Sequence, residues 1–279
     1  MTHRLLLSLA AAMLLTGTMP SYSAERKKKK KVVVDDYYAN LPQPDEPIPA
    51  LTPQPHLGEV LVAGQKPLLP AQLRSAHTAN RSIGGIDVSH YQGSINWREV
   101  AKERNILYAY IKATEGTNLV DNTYHTNLRG ARKAGLRVGA YHFFNPNANA
   151  REQFRNFSTV VKLKEQDLIP IIDIEHRGKS PLPEFRNRLK QFLQMVERHY
   201  GVRPILYTSR DFYNKYLSGP FTHYKYMIAR YHPDIPQLCD NAAFVMWQYS
   251  ATSRIRGIRG NVDRSCMMDN YTLSDILIR

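Results

Sequence analysis

The run Ile171-Ile172-Asp173-Ile174-Glu175 sets two acids two residues apart between branched apolar neighbours. On a β-strand, residues at that spacing point the same way, with Cα atoms roughly 6.6 Å apart. Asp173 and Glu175 would then face one side while Ile172 and Ile174 pack on the other. Two carboxyls so close repel, so Asp173 should raise the proton affinity of Glu175, and the pair should hold a proton more tightly than either acid alone. Glycoside hydrolysis needs this combination: one protonated acid for the leaving oxygen and one anion for the developing positive charge. A carboxylate pair tied to structural arginines has the same local pattern. Two further acids end short apolar runs, Asp87 after Ile86 and Asp263 after Val262, and Lys112 and Glu115 bracket Ala113-Thr114. Four carboxylates could also hold a metal, but glycoside chemistry needs none, so neither metal nor cofactor is expected. Tyr141, Tyr207, Trp247 and Gln248 accompany the acids, and their aromatic faces could stack on sugar rings. His142 has no second histidine at a ligand-like spacing and reads as structural. No glycine-rich phosphate loop or nucleophile-elbow serine is present.

These residues need a scaffold that gathers them. Apolar runs predict strands at 83–88, 106–113, 136–144, 168–174 and 203–208, alternating with amphipathic helices at 97–104, 122–134, 150–163, 184–200 and 211–217. Gly135 and Gly201 are placed to end two of the helices. Helices then stop, and residues 226–229, 244–249 and 261–263 read as three further strands. Five βα units require a largely parallel sheet. The expected fold is α/β: a TIM-like barrel of five βα units followed by three strands lacking regular helices. In such a barrel the strand ends that carry the polar residues share one face. A doubly wound open sheet satisfies the same periodicity.

The motifs resemble a known family. Gly85-Ile86-Asp87-Val88-Ser89-His90-Tyr91-Gln92-Gly93 with Ile95-Asn96-Trp97 is similar to the opening of glycoside hydrolase family 25 lysozymes. Ile111-Lys112-Ala113-Thr114-Glu115-Gly116, Gly139-Ala140-Tyr141-His142-Phe143, Asp173-Ile174-Glu175, Trp247-Gln248-Tyr249 and Val262-Asp263 follow in the family's order. The resemblance spans roughly residues 83–271. It implies β-1,4-N-acetylmuramidase activity on peptidoglycan glycan strands, with Glu175 as general acid and Asp173 orienting the substrate N-acetyl group. It further implies that Asp87 and Asp263 shape the charge and touch the sugar. Lys112, Glu115, Tyr141, Tyr207, Trp247 and Gln248 are the expected substrate-binding set. Ser265 departs from the pattern, since members often carry Asn there. Hydrolysis of another N-acetylated glycan such as chitin, or wall binding without catalysis, are the competing readings.

The flanks carry different information. Residues 1–23 read as a secretory signal, with an apolar run from Leu5 to Leu15 too short to span a bilayer. Residues 24–82 are basic and proline-rich and read as a disordered linker, leaving 83–279 as the catalytic barrel. An extracytoplasmic location, secreted or periplasmic, follows. The net charge is +14, and residues 83–279 carry 28 basic against 18 acidic residues, so the excess lies mostly on the barrel. The basic run from Arg26 to Lys31 could hold anionic wall or membrane surface; no nucleic-acid partner is expected, and the chain is expected to be a monomer. In an oxidising compartment the two cysteines, Cys239 and Cys266, are expected to pair.

Overall fold

The computed structural model describes residues 77–278. The signal-like segment, the run from Arg26 to Lys31 and most of the proline-rich stretch lie outside the described residues.

The chain forms a closed barrel. Its strands are β1 (Ala79–Val88), β2 (Ile106–Glu115), β3 (Leu119–Val120), β4 (Arg137–Phe143), β5 (Ile171–Asp173), β6 (Ile205–Ser209), β7 (Tyr226–Ala229), β8 (Met246–Ser253) and β9 (Val262–Met268). The order is β1-β9-β8-β7-β6-β5-β4-β2, closed by parallel pairing of β1 with β2, while the two-residue β3 hangs on β2 as an antiparallel edge. Eight strands therefore make the barrel and the open-sheet alternative falls. Seven of them run parallel. β9 runs antiparallel to both neighbours, so Asp263 reaches the common mouth from the beginning of its strand and not from its end. That corrects the expectation that Asp263 lies at the C-terminal end of its strand, within a barrel that is otherwise parallel as expected.

Helices α1 (Trp97–Val100), α2 (Tyr124–Lys133), α3 (Ala150–Val160) and α4 (Leu182–Tyr200) fill the crossovers of the first half, followed by a helical turn at Arg210–Phe212 that runs into π-helical Tyr213–Leu217. In α4 the buried residues Phe185, Leu189, Phe192, Val196 and Tyr200 recur at three- and four-residue steps, the period of one helix face. The helix ends at Gly201, whose φ is 69° and whose N–H donates to Glu197. Asn149 starts α3 by accepting the backbone N–H groups of Arg151 and Glu152 on its side chain. After β7 no regular α-helix covers the barrel among the described residues.

Two apolar layers follow from the alternation along the strands. Ile86, Ile111, Ile172, Leu206 and Trp247 pack outward against the helices and loops. Tyr108, Tyr110, Ile171, Ile205, Met227, Met246 and Met267 fill the interior. Gly85 leaves the room that the Tyr108 ring occupies, since a Cβ there would meet Tyr108 Cε2 at 2.0 Å. The inner layer forms a solid floor, and the polar residues sit above it.

Two expectations are corrected here. Cys239 lies exposed on the loop before β8, its N–H donating to Asn214, whereas Cys266 is buried on β9, and both are free thiols. The loop is pinned to Asn214 and Cys266 is committed to the outer layer, so the two thiols do not pair. The first strand also begins earlier than residue 83. Ala79 and Asn80 pair with Met268 and Met267, the Thr78 N–H donates to Asp269, and the Arg81 guanidinium lies 4.6 Å from the Tyr249 ring centre. A chain shortened to start at residue 76 is expected to melt like the parent. One that starts at Ile83 loses these contacts, each worth about 1 kcal/mol, and should melt roughly 5 °C lower. Equal melting temperatures in a thermal scan would show that the early part of β1 contributes nothing.

Candidate active site

β1, β5 and β9 bring four carboxyls to the barrel mouth. Along β5 the branched side chains separate by face: Ile171 joins the inner layer, Ile172 and Ile174 join the outer one, and Asp173 points inward at 7% exposure. Glu175 follows on the loop, half-buried, with its carboxyl hydrogen-bonded to Asp173. Asp87 and Asp263 are direct partners across the antiparallel β1–β9 pair. Lys112, buried on β2, places its Nζ 2.7 Å from Glu115 Oε2 and 5.2 Å from the Phe143 ring centre.

This crowding dictates the proton affinities. Burial, then the charge of Asp263, raises Asp87 to about 8 against the hydrogen bond it accepts from Gln248. Burial lifts Asp263 to about 6. Asp173 is raised well above the ordinary carboxylate range by burial and then by Glu175, with Lys112 opposing. Glu175 is raised to about 7 by burial and then by Asp263, while Lys112 and the Asp173 hydrogen bond hold it down. Repulsion between the two acids falls on Asp173, so the pair holds a proton more tightly as the spacing suggested, while Asp263 and then Glu115 add to the rise of Glu175. One oxygen of Asp173, Oδ1, is buried without a hydrogen-bond partner among the described residues. An unpaired buried acceptor is costly.

Gln248 organises the opposite wall. Its Oε1 accepts from Tyr207 at 2.8 Å and from Tyr231 at 2.7 Å, which turns its Nε2 toward Asp87 Oδ2 at 3.1 Å. Tyr231, 46% exposed at the loop after β7, is the ring that the sequence reading missed. No motif surrounds it, and only the fold brings it to Gln248. Trp247 is corrected. It is 1% exposed, packs in the outer layer and donates from its indole to the Arg230 carbonyl. As the strand neighbour of inward Gln248 it must face away, so it cannot stack on a sugar. Tyr141 and Tyr207 pack against the inner layer. His142 is buried outside the mouth, 2.7 Å from Thr114 Oγ1 and stacked on Phe192, and burial lowers it to about 3. It is neutral and structural. Ser265 lies beneath the site with its Oγ 3.1 Å from the Tyr108 hydroxyl.

An eight-stranded barrel with paired acids at the end of β5 and in the loop after it, and acids from β1 and β9, has the architecture of a glycoside hydrolase. Residues 86–258 match the family described as Glycosyl hydrolases family 25. The chain belongs to that family. It is 40% identical over 189 residues to a protein named YegX from Escherichia coli K12, covering 66% of this chain and 69% of that one. It is 32% identical to Lysozyme M1 of Streptomyces globisporus, covering 66% and 67%. Among solved structures, a family 25 glycosyl hydrolase from Bacillus anthracis superimposes with a TM-score of 0.65 at 30% identity, covering 73% of this chain and 96% of that one. The bacterial lysozyme from Streptomyces coelicolor gives 0.62 at 32% identity, with 70% and 95% covered.

Proposed function

We propose that this protein is an exported muramidase that cleaves the β-1,4 bond between N-acetylmuramic acid and N-acetylglucosamine in peptidoglycan. The observation that carries the reading is the hydrogen-bonded Asp173–Glu175 pair, with Glu175 reachable at the mouth and Asp173 buried beside it. Export rests on the signal-like residues 1–23. Lysozyme M1 and the Streptomyces coelicolor enzyme, both named lysozymes, support the substrate class.

The chemistry follows from the pair. A proton shared between the two acids can reside on either. An acetamido N–H donated to the unsatisfied Asp173 stabilises that residue as the anion and shifts the proton to Glu175. Glu175 then protonates the leaving glycosidic oxygen as the bond to the anomeric carbon breaks. Asp173 holds the N-acetyl group so that its carbonyl oxygen attacks the anomeric carbon, and water later opens the resulting ring. The anionic Asp263, with Asp87 when it ionises, stabilises the positive charge on the sugar. Gln248, fixed by Tyr207 and Tyr231, keeps Asp87 in place, and Tyr231 offers an accessible ring to the substrate.

Purified protein is expected to solubilise peptidoglycan while leaving chitin oligomers intact. Turnover of chitin at a comparable rate would replace the reading with a broader N-acetylglycan hydrolase, and turnover of neither would leave wall binding.

The pH dependence carries a sign. The acid must be protonated, so kcat/KM should fall as pH rises through the pKa of Glu175, about 7. Asp263 is ionised there and repels the Glu175 anion. Asp263→Asn removes that charge, lowers the pKa and should move the basic limb to lower pH. The profile is best read on a soluble muropeptide oligomer. An unmoved or upward-shifted limb would show that Asp263 does not set the proton affinity of the acid.

A further inference from the structure

Beside the acidic mouth lies an open groove of about 1040 Å³, lined in part by Tyr91, Ser94, Trp97, Ile258 and Arg259. One wall is the loop after β1, where Tyr91 stands 53% exposed. The other is the turn between β8 and β9, residues 254–261, whose place at the mouth follows from β8 running parallel to β7 and β9 returning antiparallel.

That turn has a specific pattern. Ile255 and Ile258 are buried in the outer layer, while Arg254, Arg256 and Arg259 are exposed. The Asn96 N–H donates to the Gly257 carbonyl at 2.8 Å, and Gln92 Nε2 donates to the Asn261 carbonyl at 3.2 Å. Gly257 has φ +93°, and a Cβ there would meet Asn96 O at 2.5 Å, so only glycine lets the two loops touch. The arginines therefore stand on a pinned platform. Arg256 neighbours Glu99 and helps hold that carboxyl down, after Lys102. Arg254 and Arg259 form no ion pair among the described residues.

Charge complementarity selects the occupant. The mouth is lined by acids and repels carboxylates, so a substrate that carries carboxylates needs cations just outside it. Peptidoglycan is such a substrate, because the lactyl group of N-acetylmuramic acid bears a stem peptide with free carboxylates. We propose that Arg259, which lines the Tyr91–Ile258 groove, together with exposed Arg254 on the same turn, binds the anionic stem peptide and makes peptide-bearing strands the preferred substrate. Guanidinium groups suit this task through their paired N–H donors. This inference rests on the muramidase reading and names the part of the substrate recognised outside the cleavage site.

The test measures binding without turnover, using the full chain carrying Glu175→Gln. Titration calorimetry compares soluble glycan oligomers bearing stem peptides with the same oligomers after the peptides are removed by an amidase. The peptide-bearing form should bind about tenfold more tightly at low ionic strength. That advantage should shrink in about 0.5 M salt. Adding Arg254→Gln and Arg259→Gln, both at exposed positions, should abolish it and leave binding of the stripped oligomer unchanged. Equal affinity for the two oligomers, or an advantage that survives the double substitution, overturns the proposal and spares the muramidase reading. If neither oligomer binds, the muramidase reading fails and the proposal falls with it.

Discussion

Glu175→Gln is expected to lower turnover of a soluble muropeptide oligomer by roughly 10²–10⁴-fold with the fold intact, because general acid catalysis contributes that much. The amide keeps the shape of the side chain and can still hydrogen-bond to Asp173. It has no proton to give to a leaving oxygen. Binding should persist, so the loss should fall on kcat with KM little changed. Near-parental turnover in a normally melting variant would show that the proton comes from another group. Asp173→Asn should also lose activity, through a different cause: the amide keeps a hydrogen bond to Glu175 but cannot supply the anion that holds the N-acetyl group.

Asp87→Asn is expected to stabilise the protein at alkaline pH. The sign follows from linkage. Asp87 is raised from an ordinary 3.8 to about 8 in the folded chain, so the folded state binds this proton more tightly than the unfolded state. Stability from this group is complete below about 4 and is lost as pH rises toward 8. An asparagine carries no such penalty. The melting temperature at pH 8 should rise by roughly 5 °C or more, whereas at pH 4 variant and parent should differ little. A difference that is the same at both pH values would show that the cost of burying Asp87 is not one of charge. The quartet as a whole is a case of stability given up to hold charge where the reaction needs it.

Much of this site was legible in the sequence because strand alternation is a strict rule. Ile172 and Ile174 had to face the helices if Asp173 faced the mouth, and the structure places them so. The same rule carried a signal that the sequence reading did not use: Trp247 and Gln248 are adjacent on β8, so both could not face the substrate. The direction of β9 was hidden, since a short apolar run reads alike either way. Asp263 therefore reached its place for a reason other than the one expected. Tyr231 sits in a loop with no periodicity, and only closure of the barrel brings its hydroxyl to Gln248. The start of β1 was obscured because Ala79–Ser82 is polar and follows a proline-rich stretch. Its pairing with β9 depends on residues nearly two hundred positions away. Cys239 and Cys266 were read from compartment alone, which says nothing of distance.

The central claim is that this barrel cuts one particular bond. Peptidoglycan digested by the protein, reduced with borohydride and analysed by mass spectrometry, reports which sugar carries each new end. New reducing ends are expected on N-acetylmuramic acid, absent from a parallel digest with Glu175→Gln. New reducing ends on N-acetylglucosamine, or soluble fragments released without any new sugar end, would contradict it.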